Sequence, residues 1–137
     1  MTLARALRAC CGIALVALTA CGGIGGNSNP SFAPQGPIEF APFGQNPVTT
    51  SASAPLVLAH GTSTSFHVTE DIYTGTYTTA EVANPPGSTC ITLSPAVVAY
   101  VFTVTVGAAP GCVYPQTAAF TFTDVIANTA TLYVEGT

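Results

Sequence analysis

The stretch Ala99–Val106 leaves few folds open to this chain. Tyr100, Phe102, Val104 and Val106 fall on every second position, with Thr103 and Thr105 between them. Side chains along a strand alternate between two faces, whereas a helix repeats about every 3.6 residues, so this spacing predicts a half-buried strand. Thr117–Thr123 repeats the device, with Ala118, Phe120 and Phe122 set against Ala119, Thr121 and Thr123, and is expected to be its partner. Ala130, Leu132 and Val134 continue it near the C terminus. Fainter runs lie around Leu56 and Leu58, Phe66 and Val68, Thr76 to Val82, and Ile91 and Leu93, each between turn formers such as Asn84-Pro85-Pro86-Gly87 and Gly107 to Gly111. About seven short strands so spaced predict an all-β sandwich of two packed sheets.

Threonine supports that reading, because its branched Cβ suits a pleated surface. With 137 residues, of which 48% are hydrophobic and 6% charged, there is material for one compact domain and a linker. The distribution of charge is sharper than its total. The two basic residues, Arg5 and Arg8, lie at the start of the chain, and the acids are Glu39, Glu70, Asp71, Glu81, Asp124 and Glu135. Beyond Arg8 nothing can neutralise a phosphate, which excludes nucleic acid as a partner. Lysine Schiff bases and arginine clamps on phosphate or carboxylate are excluded in the same way.

Arg5 and Arg8 precede a short apolar run, Ala9 to Ala17, followed by Leu18-Thr19-Ala20-Cys21. That is the layout of a secretory signal, and the run is short for the roughly 30 Å of a bilayer core. The four residues resemble the lipobox of bacterial lipoproteins. The resemblance implies lipid transfer to the Cys21 thiol, cleavage before it, and a mature chain held to a membrane by acyl groups. Cys10 and Cys11 would leave with the signal peptide, residues 1–20, and the formal charge would pass from −4 to −6. Gly22 stands where an aspartate would retain the protein at the inner membrane, so the resemblance favours the outer membrane of the envelope where the host has one. Without cations the protein gains nothing from anionic headgroups, and the acyl chains carry the anchoring.

Residues 21–47 read as a Gly/Pro-rich tether, from GGIGG through Pro30, Pro34, Pro37, Pro42 and Pro47. Proline lacks an amide donor and is confined to edges of sheets. As a coil such a segment reaches on the order of 25 to 30 Å. Ile38, Phe40 and Phe43 within it are expected to dock on the domain as an edge segment, and the sandwich is placed at residues 48–137. Over roughly Pro55 to Thr137, FHVTEDIYTGTYTT, ITLSP, FTVTVGAAPGC and AAFTFTDVIANTATLYVEGT resemble a bacterial immunoglobulin-like repeat, of the kind carried by surface-exposed proteins and adhesins. This implies an immunoglobulin-like sandwich, here in one copy.

With Cys21 acylated, Cys90 and Cys112 remain, and an exported chain folds where thiols oxidise, so these two are expected to pair. His60 and His67, on neighbouring segments, could meet across a hairpin, but zinc wants three or four ligands and they read as solvated imidazoles. Glu70 with Asp71, and Asp124 with Asn128, form two acidic corners. Calcium takes about six to eight oxygens, so they read as solvated caps and no metal is assigned. Asp124 is expected to start an Asx turn, accepting from a backbone amide near Ile126. No Gly-x-Ser-x-Gly elbow or glycosidase-like carboxylate pair is present, and no cofactor or catalytic residue is assigned. The expectation is therefore a non-catalytic, lipid-anchored structural or adhesive module. The alternative is a ligand-binding module in which Tyr73, Tyr77 and Tyr133 contact a glycan or protein at the cell surface.

Overall fold

The computed structural model describes residues 34–137. The leader, Cys21 and the first part of the expected tether lie outside the described residues. Nine strands follow in order: β1 (Gln35–Pro42), β2 (Leu56–Leu58), β3 (Thr62–Asp71), β4 (Tyr77–Asn84), β5 (Ile91–Ser94), β6 (Val97–Val98), β7 (Val101–Val106), β8 (Gln116–Thr123) and β9 (Thr129–Gly136). They form two sheets, one ordered β1-β3-β7-β5 and the other β2-β9-β8-β4-β6. Every pairing is antiparallel except β2 with β9, which run parallel. Among the described residues no helix is long and apolar enough to cross a membrane.

Alternation sets what each sheet buries. Phe102, Val104 and Val106 of β7 are buried with Phe66 and Val68 of β3, and opposite them lie Phe120 and Phe122 of β8 and Leu132 and Val134 of β9. The sheets meet through rings: Phe122 approaches Phe40 at 4.7 Å and Phe102 at 4.8 Å, and Phe66 stacks on Phe102 at 5.2 Å. Each buried aromatic or aliphatic side chain removes enough apolar area from water to contribute about 1.5–3 kcal/mol. The residues between them form hydroxyl ladders across neighbouring strands, Ser63 with Thr105 at 2.9 Å, Ser65 with Thr103 at 3.0 Å and Thr121 with Thr131 at 3.0 Å. Such cross-strand pairs hold a sheet laterally.

Three expectations are corrected. The folded unit starts before residue 48, because β1 pairs with β3 from Gln35↔Asp71 to Pro42↔Phe66. Its prolines are tolerated because β1 is an outer strand, and a register slip between Gln35 and Glu39 accommodates Pro37. Ile38 and Phe40 are buried, while Phe43 is exposed. Secondly, β7 and β8 are not partners: β7 lies between β3 and β5, and β8 between β4 and β9. The segment joining them crosses from one sheet to the other. Its crossing is fixed by Tyr114, whose hydroxyl donates to the Gly107 carbonyl at 2.7 Å, and by the Cys90–Cys112 disulfide, with Cα atoms 5.7 Å apart. Period two is satisfied equally by strands side by side and by strands face to face. Thirdly, β7 starts at Val101, and Tyr100 is exposed instead of sharing the buried face.

Candidate functional site

The end of the sandwich where the chain enters β1 carries its least ordinary chemistry. Gln35 pairs with Asp71, the last residue of β3, so the N-terminal segment arrives beside the β3–β4 loop. In that loop Tyr73 folds back, its amide donating to the Glu70 carbonyl at 3.2 Å and its hydroxyl to the Thr76 carbonyl at 2.9 Å. Its ring meets Tyr77 edge-on at 5.3 Å. Gly75 lies under that ring, where a Cβ would overlap the Tyr73 hydroxyl.

The β8–β9 turn packs beside it. Asp124 Oδ1 accepts from the amides of Ile126 at 2.8 Å and Asn128 at 2.9 Å, the Asx geometry expected from the sequence. The Asp124 amide donates to the Asn128 carbonyl at 3.1 Å, closing the turn. Asn128 Nδ2 then donates to Glu70 Oε1 at 3.4 Å, which joins the two acidic corners into one cluster. Glu70 and Asp124 are 7% and 6% exposed, and one oxygen of each, Glu70 Oε2 and Asp124 Oδ2, has no hydrogen-bond partner.

A buried carboxylate is normally neutralised by a cation. Among the described residues there is no lysine or arginine to do so. Burial pushes the Glu70 carboxyl above the usual range, and the neighbouring Asp124 charge and carboxyl add to the rise. Burial likewise pushes up the phenols of Tyr73 and Tyr77, keeping them neutral. Among the described residues no group of three or more His, Cys, Asp or Glu is arranged to hold a metal.

Around this cluster the loop tips are apolar: Ile72 is 47% exposed, Val125 66% and Ile126 55%. Ile72 sits at φ 51°, a left-handed conformation that β-branched residues rarely adopt. All three stand at turn positions, Asp71-Ile72 and Asp124-Val125-Ile126, where turns ordinarily place Gly, Asn or Ser.

The remaining candidates lie elsewhere. Tyr73 and Tyr77 are buried, which removes them as contacts for a ligand, and Tyr133 is half-buried with its amide donating to Thr50 Oγ1 at 3.0 Å. His60 and His67 do not meet. His60 Nδ1 is 3.0 Å from the Thr137 carbonyl oxygen. His67 is flanked by Tyr100, stacked at 4.4 Å, and Phe43, edge-on at 4.1 Å. Phe43 and Tyr100 are about half exposed, so this stack is the surface aromatic site of the first sheet. Comparison with protein-family models, with curated proteins and with solved structures finds no match. What the described residues define is a disulfide-bridged β-sandwich of two sheets that contains no lysine or arginine.

Proposed function

We propose that this protein is a lipid-anchored component of the bacterial cell envelope, a structural or adhesive module without catalytic activity. The observation that carries the reading is Leu18-Thr19-Ala20-Cys21 placed directly after Arg5, Arg8 and an apolar run, with every basic residue on the N-terminal side of Cys21. The Cys90–Cys112 bridge supports it, since such bonds persist in compartments outside the reducing cytosol. An immunoglobulin-like class is supported by the first strands, which switch sheets: β1 is antiparallel to β3, and β2 is parallel to β9. The Tyr114 hydroxyl bonded back to Gly107 resembles the corner tyrosine of such folds. Anchorage is through acyl chains on Cys21, in the outer membrane where the host has one.

Labelling cells with a clickable fatty acid tests the reading. The wild-type chain is expected to take the label and partition with membranes, and Cys21→Ser to lose both. Label retained by Cys21→Ser overturns it. A second reading, a module that binds a glycan or protein, is favoured by the exposed Phe43–His67–Tyr100 stack, because aromatic faces pack on sugar rings and apolar side chains. Saturable binding of the Cys21→Ser chain to a glycan array, abolished by Tyr100→Ala, supports that reading, and no binding leaves the structural one.

A further inference from the structure

We infer that the end of the sandwich bearing Ile72, Val125 and Ile126 rests on the lipid bilayer, these three side chains entering the headgroup region beside the chain's own anchor. The inference builds on acylation of Cys21. Twelve residues, Gly22 to Ala33, separate Cys21 from the first described residue. Fully extended they span at most about 45 Å, and a coil of that length spans about 20 Å. The anchored chain therefore holds the domain within about its own diameter of the membrane. Which end it holds nearest follows from register: β1 begins at Gln35↔Asp71, so the chain enters the fold beside Ile72 and the turn that carries Val125 and Ile126.

Three observations make this end suited to lipid. Ile72, Val125 and Ile126 are large, apolar and exposed on two loops that touch, joined by the Asn128–Glu70 hydrogen bond. Packing within the domain does not explain their identity: none of the three joins the core cluster or covers it, and Ile72 holds a left-handed backbone that Gly or Asn adopts at lower cost. Lastly, without lysine or arginine the domain has no electrostatic attraction to a membrane surface, so contact has to come from apolar side chains. Glu70 and Asp124 lie beneath the tips and Asp71 beside them, which favours zwitterionic over anionic lipid. The opposite end, with Gly107 to Pro115 and the disulfide, is left facing away.

The chain contains no tryptophan, so a single introduced one reports its own surroundings. The mature lipidated chain carrying Ile126→Trp is reconstituted in phosphatidylcholine vesicles with ordinary or brominated acyl chains, beside a second chain carrying Val113→Trp in the β7–β8 loop at the far end, where Val113 is 79% exposed. The tryptophan at 126 is expected to emit to the blue and to be quenched severalfold by brominated lipid, and that at 113 to be unaffected. Equal emission in the two vesicle types at position 126, or equal quenching at both positions, overturns the inference. The intact mass of the same sample separates the two levels: an acylated chain with an unquenched tryptophan at 126 refutes the bilayer contact alone, and a chain without acyl mass refutes the anchoring as well.

Discussion

Replacing Glu70 by glutamine removes one charge from a buried pair and leaves its shape intact. In Glu70→Gln the side-chain amide would keep an oxygen for Asn128 Nδ2 and put an N–H donor in place of Glu70 Oε2, a buried oxygen without a hydrogen-bond partner. At pH 7 the wild-type domain either buries the Glu70 carboxylate beside Asp124 or takes up a proton from a dilute pool, and both cost free energy that glutamine does not incur. A buried polar group left unpaired costs about 1–3 kcal/mol, so a gain of about 2 kcal/mol is expected at pH 7. For a domain of this size that raises the unfolding midpoint by roughly 10 °C.

The pH dependence identifies the cause. Glu70 has a folded pKa raised above its unfolded value, first by burial and then by Asp124, so the folded state binds the proton more tightly. The stability this contributes is complete below the unfolded value of about 4.3 and is lost as pH rises through the raised folded one. Wild type is thus expected to gain stability from pH 7 down to about pH 4, and the advantage of Glu70→Gln to shrink toward zero over the same interval. Thermal unfolding followed by circular dichroism between those limits is the measurement. A variant less stable than wild type at neutral pH, or an advantage undiminished in acid, refutes the assignment of the cost to the buried Glu70 carboxyl.

Other perturbations give independent checks. The Cys90–Cys112 bridge closes a loop with a sequence separation of 22, for which the chain-entropy estimate is about 3 kcal/mol; reduction or Cys90→Ala/Cys112→Ala is expected to lower the midpoint by on the order of 15 °C, and an unchanged midpoint contradicts a stabilising bridge. Gly75→Ala forces the Tyr73 ring from its seat and breaks its bond to the Thr76 carbonyl; a loss of about 1–3 kcal/mol in denaturant titration is expected, and no loss would show that the ring is free to move.

The sequence made local features readable. Alternation assigned the buried faces of β7, β8 and β9 residue by residue from Phe102 onward, because side-chain direction along a strand is a property of the strand itself. Asp124 could be assigned its bond to the Ile126 amide because donor and acceptor are two residues apart. The pairing of Cys90 with Cys112 followed once Cys21 was set aside for lipid. Proline content, by contrast, sets the boundary at residue 48 and gives β1 only as an edge segment docking from the tether, which its outer position and the burial of Ile38 and Phe40 match, since a missing amide donor weakens a central strand more than an outer one.

Tertiary structure decided what lies beside what. Period two cannot tell a hydrogen-bonded neighbour from a strand facing it across the core, and so β7 and β8 were assignable as strands but not to different sheets. The same holds for the site. Glu70 and Asn128 are 58 positions apart, and their meeting is set by the closure of the two sheets, which turns two separate acidic corners into one buried pair. It also gathers Ile72, Val125 and Ile126 at the end where the chain enters. Local spacing encodes the direction of each side chain, whereas its long-range neighbours are chosen by packing over the whole domain.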